Sequence, residues 1–167
     1  MKKSLFLIIM ALSLTSFSQS IEYLDQLNGY KDLKFGTTKQ ELKSKIFDCT
    51  TTGFCIVIGD KYREIKNVKI ENVYMTFNNQ KLFSIILMLK GKENVDELLH
   101  LYEDTFGKAT GRKKEKLEIY WEAKNVVLNF EIDIDKNNNI SATVIIAEKN
   151  SLIKINKKEI QENLKAF

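Results

Sequence analysis

The chain has 167 residues without a single proline, and it carries one histidine, one tryptophan, two cysteines and seven glycines. The missing proline goes with a richness in Lys, Ile and Asn that reads as a bias of base composition, and no function is drawn from it. The scarcity of histidine excludes more. Acid–base work by a histidine needs a partner to orient the ring, and a metal centre needs further His, Cys or carboxylate ligands at set spacing. His100, between Leu99 and Leu101, has no such companions and is expected on a helix surface. Neither a Gly-x-Ser-x-Gly elbow nor a glycine-rich phosphate loop occurs, so hydrolase and phosphate-binding chemistry have no motif to stand on. Charge of one sign is missing too: 26 basic residues face 22 acidic ones. They alternate along the whole chain, whereas phosphate neutralisation demands Lys and Arg gathered on one face, which argues against a nucleic-acid partner.

Only one run of apolar residues is sustained, from Leu5 to Leu14. It is much shorter than the roughly 20 residues that span a bilayer. Lys2 and Lys3 precede it, and Ser16-Phe17-Ser18 offers the small residues a signal peptidase reads, so residues 1–18 are expected to be a signal peptide and Gln19 the mature N-terminus. The expected location is periplasmic or extracellular. No cysteine directly follows the leader, which leaves no lipid-attachment site and no stable membrane anchor after cleavage. Removing Lys2 and Lys3 lowers the formal net charge from +4 to +2.

In an oxidising compartment Cys49 and Cys55 are a candidate disulfide, with two buried free thiols as the alternative. Closing so short a loop would contribute about 2 kcal/mol by chain entropy, less any strain. The rest of the mature chain reads as a single α+β domain over residues 19–149. Thr38-Lys39-Gln40-Glu41 has capping-box form and predicts a short helix over 39–47. Strands are predicted over 54–58, within 62–77 with a change of phase near Asn72, and over 82–90. Asn94-Val95-Asp96-Glu97 opens a second helix that Gly107 ends, followed by strands over 117–122, 126–133 and 140–147. This order makes two α-β-β-β halves, about 30–91 and 92–149, forming an antiparallel sheet with helices packed on one face. Residues 150–167 are expected to form a C-terminal helical tail, with Ile160, Leu164 and Phe167 along one stripe. Ile21, Leu24 and Leu27 suggest one further short helix before Gly29.

Two oxygen-rich groups have structural explanations. Asp133 to Asn139 begins like a calcium loop but has Asn138 where the loop needs glycine and Val144 where it needs a bidentate glutamate, so a hairpin turn is expected. Glu118, Glu122 and Glu131 lie on adjacent predicted strands, where a glycosidase carboxylate pair is conceivable but a solvent-facing position is simpler. No catalytic residue, metal ligand or cofactor is therefore assigned.

Phe35-Gly36-Thr37-Thr38 with Glu41-Leu42, and Phe106-Gly107-Lys108 followed by Tyr120-Trp121, resemble the pattern of the superfamily that groups the outer-membrane assembly lipoprotein BamE with the β-lactamase inhibitor protein. The resemblance covers the repeated core and implies a non-catalytic domain that binds another protein. It differs in lacking the lipid-bearing cysteine of BamE.

Leu82 to Leu89 and Val144 to Ala147 are apolar at both parities. A sheet with helices on one side needs only one apolar face, so something must cover the other. The cover is either the chain itself or a partner, and Tyr120 and Trp121 are candidate partner contacts because aromatics are enriched at binding hot spots. The expectation is a non-catalytic exported domain that binds another cell-envelope protein or peptide. Its alternatives are a binder of a small apolar ligand between sheet and helices, and an enzyme of unrecognised type. Mass spectrometry of the exported protein is expected to find Gln19 as its first residue; a chain that keeps residues 1–18 overturns the leader assignment.

Overall fold

Strands rich in Val, Ile, Leu and Phe pair through the middle of the chain into one eight-stranded antiparallel sheet. The computed structural model describes residues 20–44, 47–50, 54–114 and 117–152. The expected signal peptide, and the expected C-terminal helical tail beyond residue 152, lie outside the described residues. In chain order the elements are α1 (Glu22–Leu27), β1 (Gly29–Tyr30), β2 (Leu33–Lys34), a 3-10 turn (Glu41–Ser44), β3 (Phe47–Cys49), β4 (Phe54–Val57) and a second 3-10 turn (Asp60–Tyr62). After these come β5 (Glu64–Ile65), β6 (Val68–Lys69), β7 (Asn72–Asn78), β8 (Lys81–Lys90) and α2 (Lys92–Phe106). The last are β9 (Gly111–Lys113), β10 (Glu118–Glu122), β11 (Val126–Ile134), β12 (Ile140–Glu148) and α3 (Lys149–Leu152). No helix among the described residues is long and apolar enough to cross a membrane.

The strand order is β3-β4-β7-β8-β12-β11-β10-β9, with β1–β2 and β5–β6 as separate hairpins. The fold is thus mixed α+β with a large antiparallel sheet. The expected three strands per half need correction: four come from residues before α2 and four from residues after it. The unexpected strands, β3 and β9, are three residues each, too short to show an alternating pattern.

The predicted helix over 39–47 is also corrected. Its capping box does form, with Thr38 N–H and Oγ1 each donating to Glu41 Oε2 at 2.7 Å and Glu41 N–H donating to Thr38 Oγ1 at 3.2 Å. The box opens only a 3-10 turn, because β3 takes Phe47 into the sheet and leaves no length for a run of α turns. The phase change near Asn72 has a clear origin. Residues 64–69 leave the main sheet as the β5–β6 hairpin, and the alternation restarts at β7. A register shift between Thr76 and Phe77 then puts both Leu82 and Ile85 on the same side of β8.

The described flanking elements other than α3 lie on that side. From α2, Val95, Leu98, Tyr102 and Phe106 are buried, the spacing of one helical face. The helix starts at Lys92, two residues before the expected cap, since Gly91 supplies the positive φ (88°) that turns the chain out of β8. Asn94 instead accepts from Lys69 N–H at 3.1 Å and donates to the Lys90 carbonyl at 2.9 Å, fastening the β5–β6 hairpin to the sheet. Leu24 of α1, Leu33 of β2, Leu42, Tyr62 and Val68 join the same core.

One carboxylate ties the start of the fold to its far end. Asp25 of α1 accepts the backbone N–H groups of Lys124 at 3.1 Å and of Asn125 and Val126 at 2.9 Å, which close the turn between β10 and β11. Hydrogen bonds to a charged acceptor are each worth about 1.5–3 kcal/mol, so the anchor is far stronger than a surface ion pair. Asp25→Ala is expected to lower stability in urea by about 2–4 kcal/mol, with α1 detaching first in hydrogen exchange.

Candidate functional site

Every residue that faces away from the helices can be read from the register. The middle row runs Ile56, Tyr74, Ile86, Ile145, Asn129, Tyr120 and Gly111 across seven strands. The row beside it runs Phe54, Thr76, Ser84, Ala147, Val127 and Glu122, and on the other side lie Asn72, Met88, Thr143, Glu131, Glu118 and Lys113. This second face is mostly apolar over β4, β7, β8 and β12, with Asn72, Thr76, Ser84 and Thr143 as its polar members there, and mostly polar over β11, β10 and β9.

Its apolar half is a second hydrophobic cluster, of Phe54, Tyr74, Ile86, Ile145 and Ala147, with Ile56 and Met88 packed against it. The Phe54 and Tyr74 rings lie 5.2 Å apart and tilted. Burial, and secondarily the charge of Glu71, raises the Tyr74 hydroxyl pKa. Ile86 is 0% exposed, and Phe54 and Tyr74 are 4% exposed. Yet among the described residues the cluster consists of sheet side chains alone, and the helices and hairpins that flank the sheet belong to the other core.

Among the described residues, three polar atoms on this face are buried without a hydrogen-bond partner: Thr76 Oγ1, Ser84 Oγ and Asn129 Oδ1. Thr76 and Ser84 are direct cross-strand partners. A buried orphan of this kind costs about 1–3 kcal/mol, so the face is shielded from water but incompletely matched by what shields it. An acidic strip borders it. Glu118 receives Lys113 Nζ at 2.8 Å, Glu131 stands opposite Glu118 in the register, and Glu122 pairs with Lys149. The expected solvent-facing position of Glu118 is corrected: it is 6% exposed, with the Lys113 ammonium, whose pKa the Glu118 hydrogen bond raises, laid over it.

Trp121 and Tyr120 separate, as neighbours on a strand must. Trp121 is wholly buried on the helix side, where its indole N–H donates to the Gly107 carbonyl at 2.8 Å and Tyr102 meets it edge-on at 6.1 Å. A partner cannot reach it in this structure, and its expected role as a partner contact is corrected to that of a core residue. Tyr120 lies on the second face, half-buried, with its ring against Gly111 and Lys113 Nζ 5.6 Å from the ring centre.

Cys49 and Cys55 face each other in the β3–β4 register and are joined by a disulfide. His100 is exposed on α2, with Nδ1 2.7 Å from the Asp96 carbonyl. Asp135 closes the β11–β12 hairpin as an acceptor from Asn137 N–H, Asn139 N–H and Asn139 Nδ2, with Asn138 at φ 60°. The hydrogen bonds from Asn139, first from its side chain, hold the Asp135 carboxyl below its ordinary pKa. Among the described residues no group of three or more His, Cys, Asp or Glu is placed to hold a metal ion. Sequence reasoning found the apolar members of the second face from their double parity. It missed Thr76, Ser84 and Asn129, since a polar residue in a strand ordinarily signals solvent.

The chain matches no protein-family model, no curated protein and no solved structure.

If the two hydroxyls are true orphans, removing them relieves a desolvation cost. Ser84→Ala and Thr76→Val are each expected to leave stability in urea unchanged or raise it by about 1 kcal/mol, against the usual loss on a buried substitution. A loss of that size in both variants shows that the hydroxyls are satisfied.

Proposed function

We propose that this is a non-catalytic exported protein that binds another cell-envelope protein or peptide through the second face of its sheet. The observation that carries the reading is the second apolar cluster, on a sheet whose helix side is already filled by a complete core. A fold that only had to be stable could place polar side chains on that face, as half-solvated antiparallel sheets do. The Cys49–Cys55 disulfide supports export, since such bonds persist in oxidising compartments. The leader pattern over residues 1–18 supports it independently.

The chemistry of the face describes its partner. An amphipathic segment with an apolar stripe would lie over Ile56, Tyr74, Ile86 and Ile145. Tyr120, at the border between the two zones, remains the candidate contact. No bond is made or broken in this role, and no cofactor is required. The mirrored order of four strands on each side of the β8–β12 pairing supports two related halves, each opened by a helix or helical turn, as the resemblance to the BamE and β-lactamase inhibitor superfamily implies.

The test is affinity capture from envelope extract with the mature protein, beside an Ile56→Glu/Met88→Glu variant altered only at half-buried members of the face. One protein is expected to be recovered by the native chain and lost with the variant while its circular dichroism is unchanged. Recovery of nothing above background, or equal recovery by both, overturns the reading.

A further inference from the structure

We propose that Arg63, beside the β4–β7 end of the second face, is the anchor for an acidic side chain of the partner, an aspartate or glutamate flanking its apolar stripe. The inference rests on the recognition reading and deepens it, by giving the partner a charge and fixing where on the face that charge lies.

Arg63 closes the second 3-10 turn, and its backbone is fastened on both sides. Its N–H donates to the Asp60 carbonyl at 2.9 Å, and its own carbonyl accepts from Ile70 N–H at 2.7 Å, just before β7 begins. Tyr62, one residue earlier, goes into the helix-side core. The Arg63 guanidinium acts instead on Tyr74, a member of the second face, where its positive charge opposes the rise in hydroxyl pKa caused by burial and Glu71.

The chain has two arginines, and they are used differently. Arg112 is paired with Glu103 at 2.6 Å. Arg63 forms no ion pair among the described residues, and its half-buried side chain has Nε buried without a hydrogen-bond partner. Glu71, the carboxylate that acts on the same tyrosine, is held by Lys90 Nζ at 2.6 Å. The terminal nitrogens of Arg63 are not among the buried orphans, so they reach water. The result is a guanidinium with a fixed stem and an open fork, the donor geometry that a carboxylate fills with two parallel hydrogen bonds.

Apolar surface continues up to this cation. Ile56 belongs to the second face, and Ile58, two residues further towards the turn, is 47% exposed. An arginine at the rim of apolar ground has the composition of a binding hot spot. A basic residue on the partner would be repelled there, and an amide oxygen would carry no charge to answer the fork. An amphipathic segment carries its carboxylates as side chains flanking the stripe, so a side chain is the source assigned here.

The experiment follows the Nε–H signals of Arg63 and Arg112 by NMR in the full mature chain. The probe is acetyl-Leu-Ile-Glu-Leu-Ile-amide, set against its analogue with Gln in place of Glu. The Glu peptide is expected to shift Arg63 and leave Arg112 in place, and the Gln peptide to bind about tenfold or more weakly, as the loss of a charged hydrogen bond requires. Arg63→Met is expected to abolish the difference between the peptides with circular dichroism unchanged, and Arg63→Lys to restore only part of it. Should Arg63→Met fail to fold, the comparison of peptides on the native chain still decides. Equal binding of the two peptides, or no shift at Arg63, overturns the inference. An equal shift with acetate at the same concentration marks an adventitious ion only and overturns it too, as does stronger binding of the Gln peptide with a free C-terminal carboxylate, which assigns the fork to a chain end. A Glu-dependent shift with no envelope protein captured upholds this inference and removes the recognition reading. Capture that is lost with Ile56→Glu/Met88→Glu but unaffected by Arg63→Met does the reverse.

Discussion

The pairing of β8 with β12 at the centre of the sheet imposes the condition that the rest of the molecule has to meet. Both strands are apolar on both sides, with Ile85, Leu87, Val144 and Ile146 towards the helices and Ile86, Met88 and Ile145 away from them. Burying each such side chain is worth about 1.5–3 kcal/mol, so the half-dozen on the second face together rival the 5–15 kcal/mol by which a whole domain is stable. A cover on each side is therefore a requirement of the fold. Among the described residues, buried polar atoms without a partner occur on both sides, the Tyr62 and Tyr102 hydroxyls towards the helices and Thr76 Oγ1, Ser84 Oγ and Asn129 Oδ1 on the second face, while the Trp121 indole is paired with the Gly107 carbonyl.

Long-range ties keep the helix-side layer in register with the sheet. Asp25 holds α1 to the β10–β11 turn and Asn94 holds the β5–β6 hairpin to the start of α2. Tyr30 donates to the Tyr62 carbonyl at 2.7 Å, joining the first hairpin to the second 3-10 turn, and burial of its ring pushes its hydroxyl pKa well up. In each case a side chain answers backbone groups from a distant segment, groups that would otherwise be left without partners at a loop end.

Local signals in the chain differ in how far they carry. The turn at Asp135 to Asn139 was legible because aspartate and asparagine satisfy their own backbone, and the observed hydrogen bonds are of that kind. The long strands and α2 were legible because each spans several periods of its pattern. The helix expected over 39–47 is lost although its capping box forms, since sheet pairing at β3 competes for the same residues and a cap cannot outweigh a strand joined through Cys49–Cys55. Glu118 escapes a local reading because a carboxylate in a strand ordinarily faces solvent, whereas here a neighbouring lysine allows it to be covered.

What the chain determined by itself was its class: mixed helices and antiparallel strands, and a sheet with grease on both sides. Those are properties of periodicity and of residue type, and they need no knowledge of neighbours. Tertiary structure alone decided which of Tyr120 and Trp121 meets the core, how Asp25 is used, and that Thr76 and Ser84 stand together without partners. Each of these depends on the register between strands and on contacts between residues up to 101 positions apart, and a one-residue slip of register would turn every side chain to the opposite face.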